Sequence, residues 1–387
     1  MGCPVLPRLS LPSRPPGRAP ILPSSRRGRL GSMRGLRVCG IDVFCGAGGL
    51  TLGLQKAGVF IVAGIDSDPI CEFPFTSNSG ARFIEADVRE ISGYDLANLY
   101  PSGAIRLLAG CAPCRPFSPF RRGRDNSLDE EWGLLTEFGR LARELNPELL
   151  TMENVPGVAS KPVFHKFVRD LQQLGYHVAS KSLYCPEFGV PQHRRRLVLL
   201  ASRIGEVAVP TGQLAPEHYR TVRDAIASLP RLAAGETDPR DRLHRARSVN
   251  ETNLCRLRSS RPGGTWEDWP EDLRAECHRK KTGSTYRNVY SRMVWDEPAP
   301  TITTQAYNFG TGRFGHPEQD RAITPREAAL LQTFPRRFRF VRPGEETYLA
   351  QVGRLIGNAV PPRLAFFVGK EIMKAAAANG GAEQTKR

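Results

Sequence analysis

A thiol follows directly on a proline at Cys114, within Gly110-Cys111-Ala112-Pro113-Cys114-Arg115-Pro116-Phe117-Ser118. The apolar run Ile105, Leu107, Leu108, Ala109 ahead of it reads as a strand. The loop would then hold the thiol at the carboxyl edge of a sheet, where open α/β folds bind their ligands. Proline fixes its own φ and biases the residue before it towards extended geometry, so the backbone entering Cys114 is stiff. A stiff approach suits a nucleophile that must hold still, and it suits a buried structural turn equally well. Cys111 and Cys114 also spell C-x-x-C, but no second pair and no His ligand stands at a zinc spacing, so no metal is expected.

A second set of residues points to a ligand. Phe44-Cys45-Gly46-Ala47-Gly48-Gly49-Leu50 joins a short apolar strand to a helix with Leu50, Leu54 and Ala57 on one face. Glycines in such a turn let the backbone approach a ligand closely. Thr51 breaks the G-x-G-x-x-G dinucleotide pattern. The next strand ends in Asp66-Ser67-Asp68, about twenty residues on, where an acid can accept hydrogen bonds from ribose hydroxyls. A third strand ends in Asp87. A Gly-rich turn and two acids at successive strand tips predict a nucleoside-containing cofactor; a plain tight turn with solvated loop acids is the competing reading.

These residues need a sheet to hold them. Segments 38–44, 60–65, 82–86, 105–109, 149–152, 177–184 and 197–201 read as strands. Between them, stripes such as Leu134, Leu135, Phe138, Leu141, Leu145 and Phe164, Phe167, Val168, Leu171, Leu174 read as core-facing helices. Seven strands alternating with helices predict an α/β fold with a doubly wound, mostly parallel sheet. Two polar segments sit at its loops: Glu153-Asn154-Val155-Pro156 after the fifth run, and Gly189-Val190-Pro191-Gln192-His193-Arg194-Arg195-Arg196 before the seventh.

From 204 to 323 the apolar periodicity fades, and Trp266, Trp269, Tyr286, Tyr290 and Trp295 interleave with basic residues. Residues 240–292 hold 13 Lys and Arg against 7 Asp and Glu. Basic side chains neutralise phosphates and aromatic rings stack on bases, although a solvated basic face has the same composition. Periodicity returns at Thr324-Pro325-Arg326-Glu327, a helix start with Pro at its first position. The expected organisation is a Pro-, Arg- and Ser-rich tail at 1–32, a main domain at 33–203, and a smaller irregular domain at 204–323. A segment at 324–377 completes the main domain, and 378–387 form a tail.

The formal charge of +16 points to a polyanionic partner, nucleic acid first. Residues 1–40 carry eight Arg and no acid, so half of that excess lies in the tail and the remainder is still basic. A start at Met33, a loose basic arm on DNA and an organelle transit sequence all fit the tail. Nine scattered cysteines in a chain this large fit reduced thiols in a cytosolic compartment. No run approaches the roughly 18 apolar residues of a membrane span.

Taken in order, six blocks resemble the C5-cytosine-specific DNA methyltransferases. They are Phe44-Cys45-Gly46-Ala47-Gly48-Gly49, Pro113-Cys114, Glu153-Asn154-Val155, Gln192-His193-Arg194-Arg195-Arg196, Arg326-Glu327 with Leu331-Gln332-Thr333-Phe334-Pro335, and Gly357-Asn358-Ala359-Val360-Pro361-Pro362. The resemblance implies an S-adenosylmethionine-dependent methyltransferase fold, with 204–323 as a target-recognition domain for double-stranded DNA. It implies Cys114 as the nucleophile that adds to cytosine C6, and Glu153 as the group that hydrogen-bonds or protonates N3. Arg196 would be the donor to O2, with Arg194 buttressing the site or a phosphate.

For the cofactor, the resemblance implies that Phe44, Gly46, Gly48 and Gly49 cradle the methionine part of S-adenosyl-L-methionine and Asn358 touches the same end. Asp66 would hold the ribose and Asp87 would meet the adenine amino group. Arg115 and Ser118 are expected to contact DNA, the loop with Arg121, Arg122 and Arg124 to close over the flipped base and grip phosphate, and Thr301 and Thr303 to contact the backbone beside it. Two departures stand out: Arg115 replaces the usual Gln, and Cys111-Ala112 replaces the commoner approach to Pro-Cys. The implied setting is a monomer in a bacterial cytoplasm, associated with the nucleoid and with a possible cognate restriction endonuclease. A transfer-RNA cytosine methyltransferase and a non-catalytic DNA-binding relative are the alternatives. The former's Cys-Phe-Thr signature is missing here, and the intact Cys114, Glu153, Arg194 and Arg196 argue against the latter.

Overall fold

A computed structural model describes residues 38–113, 133–280 and 289–384. The chain alternates β1 (Val38–Val43), α1 (Gly49–Ala57), β2 (Phe60–Asp66), α2 (Glu72–Ser79), β3 (Arg82–Glu85), α3 (Gly93–Ala97) and β4 (Ile105–Gly110). It continues with α4 (Gly133–Leu145), β5 (Leu149–Asn154), α5 (Pro162–Gln173), β6 (His177–Tyr184) and β7 (Arg195–Ser202). The sheet order is β3-β2-β1-β4-β5-β7-β6, with β7 antiparallel to both neighbours and the other described pairings parallel. All seven expected strands are present.

Every residue of β1 and β5 is buried, as expected for central strands covered on both faces. One face packs under α3, α4 and α5 through Leu96, Phe138, Leu141, Phe164, Phe167 and Leu171. The other is covered by α1 and by a final helix that carries Leu364, Val368 and Ile372. The order reverses between β1 and β4, which opens a crevice at their carboxyl ends.

Beyond β7 come α6 (Val222–Ile226), a hairpin of β8 (Thr237–Asp238) and β9 (Asp241–Arg245), α7 (Glu251–Ser259) and α8 (Glu276–Arg279). They are followed by α9 (Pro325–Leu331), α10 (Leu349–Gly357) and α11 (Pro362–Gln384). Thr324 caps α9 in a reciprocal capping box with Glu327, and Pro325 opens the helix as expected.

Helix α11 lies tight against α1. A methyl group on Gly53 would stand 2.3 Å from Ala365 Cβ, and one on Gly49 would stand 2.4 Å from the Val360 carbonyl. A third core, containing Ala47, Val222, Met293, Ile302, Phe334 and Ile356, joins the Gly-rich turn to the later segments. No helix among the described residues is long and apolar enough to cross a membrane.

Two expectations change. Trp266 and Trp269 do not offer their faces outward: they fill a small core with Leu257 and Phe309, because a ring inside that cluster removes more apolar area from water than one on a basic surface. Tyr286 lies outside the described residues. Arg195 and Arg196 belong to β7 rather than to the loop before it, so strand alternation sends them to opposite faces.

Candidate active site

The turn after β1 is held in unusual backbone conformations. Phe44 has φ 60°, and Gly46 and Gly48 have φ 52° and 90°. The positive φ of Phe44 is strained for a residue bearing Cβ, and such strain persists where the surroundings over-determine it. Here they do: the Cys45 N–H donates to the Ile65 carbonyl at 3.0 Å and the Gly46 N–H to Asp66 Oδ2 at 2.9 Å. The other Asp66 oxygen accepts from the Asp68 N–H at 3.0 Å. Asp66 therefore ties the tips of β1 and β2 together. Burial pushes its carboxyl above the ordinary carboxylate value.

Beneath the turn, Asp42 is fully buried and accepts the Thr51 hydroxyl at 2.6 Å, while its Oδ1 has no partner. Burial raises this carboxyl to about 7.

Asp87 caps the turn after β3 by accepting the Arg89 N–H at 2.9 Å, and it is half-buried. Asn358 is exposed at the end of α10, two residues before the Val360 carbonyl that rests on Gly49. The Gly-rich turn, Asp66, Asp87 and Asn358 thus lie on loops at the strand tips or against them. Arg354 adds an ion pair to Asp68 at 2.7 Å, a link from α10 that no pattern in the sequence signals.

The second half of the crevice stands at the tips of β4, β5 and β7. The Cys111 N–H donates to the Val43 carbonyl at 3.4 Å, and Asn154 Nδ2 donates to the Ala112 carbonyl at 3.2 Å. These bonds pin the segment leading into Pro113. Cys114, the next residue in the chain, lies outside the described residues, as do Arg115, Ser118, Arg121, Arg122 and Arg124.

Glu153, the penultimate residue of β5, is only 6% exposed and faces two partners. Cys111 Sγ is 3.0 Å from its Oε2, and Arg196 Nε is 3.0 Å from its Oε1. The latter is an ion pair by distance without hydrogen-bond alignment, since Oε1 has no hydrogen-bond partner. Arg196 also donates from Nη1 to the Arg195 carbonyl at 2.7 Å. A carboxyl and a guanidinium side by side, largely screened from water, can together serve a ring that gains negative charge.

Arg194 does not face this space. It is buried and donates from Nη1 to the Ile302 carbonyl at 3.2 Å and from Nη2 to the Ala359 carbonyl at 3.3 Å. Burial and the like charge of Arg196 bring it down to about 10, so it remains a cation at neutral pH. Of the two expectations for Arg194, these contacts favour the buttress.

Gln192 does similar work unannounced by the sequence. Its Oε1 accepts from the Ile302 N–H at 2.9 Å, and its Nε2 donates to Gln332 Oε1 at 3.0 Å. Gln332 in turn donates to the Ile356 carbonyl at 2.8 Å. The Thr301 hydroxyl donates to the His193 carbonyl at 2.5 Å, so it is already engaged, whereas Thr303 is exposed nearby. On the opposite face of β7, Arg195 lies over the Tyr184 ring, 4.4 Å from its centroid.

A seven-stranded sheet in this order, with one reversed strand, is the fold of solved methyltransferases. A putative DNA modification methyltransferase encoded within an Escherichia coli prophage superposes with a TM-score of 0.66 at 20% identity, covering 88% of this chain and 99% of that one. The S. pombe Dnmt2 methyltransferase gives a TM-score of 0.60 at 18% identity, covering 87% and 99%.

The chain belongs to the C-5 cytosine-specific DNA methylase family, whose model matches residues 38–374. Among curated relatives, the Type II methylase M.HgiDII of Herpetosiphon aurantiacus is 48% identical over 337 residues, covering 86% of this chain and 94% of that protein. The Type II methyltransferase M.Eco47II of Escherichia coli is 31% identical over 349 residues, covering 86% and 78%.

Proposed function

We infer that the protein methylates C5 of cytosine in a specific double-stranded DNA sequence, as the modification half of a restriction-modification system. The observation that carries this reading is the Glu153–Arg196 pair, a buried carboxyl beside a half-buried guanidinium at the tips of β5 and β7, next to the segment that leads into Pro113 and Cys114. The residues at the other tips fit S-adenosyl-L-methionine. The turn leaves its backbone open at Gly46, where nothing stands within 4 Å of a side-chain position. Asp66 keeps acceptor capacity for ribose hydroxyls, Asp87 stands one strand further out for the adenine amino group, and Asn358 borders the turn with Phe44, Gly48 and Gly49 at the methionine end. When bound, S-adenosylmethionine supplies an electrophilic methyl carbon for C5.

The chain's own residues make C5 able to accept it. Cys114, as thiolate, adds to C6; the electron pair moves into the ring, and charge develops on N3 and O2. Glu153 holds or donates a proton at N3, and Arg196 donates a hydrogen bond to O2 in a site that excludes water. Arg194, anchored on two carbonyls, keeps the β7 lead-in at its place. After methylation a base removes the C5 proton and the thiolate leaves, restoring the ring. Flipping the target base out costs roughly a few kcal/mol, and Arg115, Ser118, Arg121, Arg122 and Arg124 are assigned to grip the strand around it, with Thr301 and Thr303 on the backbone beside it. Residues 204–323 read the sequence. The protein acts as a monomer in the bacterial cytoplasm, on nucleoid DNA, beside a cognate endonuclease.

Transfer of labelled methyl groups, measured on DNA and RNA side by side, tests the assignment. Label on DNA is expected; label on RNA alone would move the protein to transfer-RNA modification, and none on either to a non-catalytic role. Cys114→Ala is expected to abolish turnover while DNA binding persists. Duplex DNA carrying 5-fluorocytosine at the recognised site is expected to become covalently attached to the wild-type enzyme and not to that variant.

A further inference from the structure

We propose that Cys111 is a positioning residue for the reaction, its thiol fixing the orientation of the Glu153 carboxyl; this rests on the role assigned to Glu153 above. The contact is direct, with Cys111 Sγ 3.0 Å from Glu153 Oε2. The thiol donates, because a carboxylate oxygen can only accept.

What distinguishes Cys111 from an incidental neighbour is how firmly its backbone is held. Its N–H is bonded to the tip of β1 through Val43, and the Ala112 carbonyl that follows is bonded to Asn154, the residue after Glu153. Asn154 Oδ1 also accepts from the Val155 N–H at 2.8 Å, which fixes that side chain in turn. Cys111 and Glu153 are therefore set against each other by two strand tips and one short cross-link. Ala112, between the thiol and Pro113, is 2% exposed, so the segment has little room to shift.

The arrangement gives the carboxyl two unlike neighbours. Arg196 lies at Oε1 and brings positive charge; Cys111 lies at Oε2 and brings a donor without charge. Rotation of the carboxyl would break both contacts together. A second cation at Oε2 would hold the group equally well but would oppose the protonation that work at N3 demands. A thiol restrains the geometry with a far smaller bias against the neutral form.

The test is single-turnover methylation of a cognate duplex by the full chain, with enzyme in excess so that slow variants remain measurable. Cys111→Ala is expected to slow methyl transfer about fivefold, leaving the affinity for DNA unchanged. Cys111→Ser, which restores a donor at the same atom, is expected to recover most of the rate. In a Glu153→Gln background, Cys111→Ala is expected to cost nothing further, since the group it positions is gone.

An equal fractional loss in both backgrounds would overturn the proposal, as would a Ser variant that folds normally and remains as slow as Ala. Should the Ala variant fail to fold, Cys111→Val, which keeps the volume and lacks the donor, is measured in the same two backgrounds with the same expected and overturning results. Wild-type rates from Glu153→Gln alone would instead overturn the role of Glu153, an outcome distinct from failure of the Cys111 contact.

Discussion

At the scale of single residues, the clearest tension is Asp42. A fully buried carboxyl with one oxygen unpartnered is a cost to the fold, because burial disfavours its charged form more than the Thr51 hydroxyl favours it. Its value is about 7 when folded against an ordinary 3.8, so the folded protein keeps a proton over an interval in which the unfolded chain gives it up. The stabilisation is present below the unfolded value and is lost as pH rises through the folded one. Asp42→Asn keeps an acceptor for Thr51 and removes the titration. It is expected to raise the melting temperature by several degrees at pH 8 and by less at pH 5, read by thermal denaturation at the two pH values. An equal gain at both would show that Asp42 is not neutralised in the fold. Arg194 shows the opposite solution to burial: it stays charged by spending its donors on the Ile302 and Ala359 carbonyls.

At the scale of elements, the amide pair Gln192–Gln332 connects the lead-in to β7, the 301–303 segment, the end of α9 and the end of α10. Gln192→Ala would leave the Ile302 N–H and the Gln332 carbonyl oxygen buried and unmet. A loss of about 2–4 kcal/mol is expected in urea denaturation, with a fall in methyl transfer because the β7 lead-in positions Arg196. How much of this was legible follows the physics of each element. The central strands β1, β4 and β5 could be read because buried strands are continuous apolar runs whose ends here carry glycine or acid. The start of α9 could be read because a capping box and an initial proline are local. The cross-links could not: nothing near Gln192 in the chain announces Gln332, and a Cys–Glu contact between residues 111 and 153 has no periodicity. Trp266 and Trp269 misled because composition counts rings and does not say which way they turn. The site blocks were legible mainly through their order, as Glu153 and the Arg cluster taken alone fit a helix cap and a surface patch.

At the scale of the whole molecule, charge is the dominant fact. With a formal +16 and an anionic partner, affinity for any duplex should fall steeply with salt, because neutralising phosphates releases counterions. Between 50 and 200 mM salt a loss on the order of 10³-fold is expected if six or more phosphates are neutralised. Titration of a labelled duplex at several salt concentrations measures the slope, and a flat response would mean that the cations of 204–323 do not meet the backbone. The close seating of α11 on α1 has another bearing, on how the chain is made. The partners of Leu50 and Leu54 are synthesised last, more than three hundred residues later. Until then the nascent polypeptide carries an uncovered oily stripe beside its first strand, a stretch of time in which chaperone binding, or supply of the missing helix as a separate piece, could decide whether it matures or aggregates.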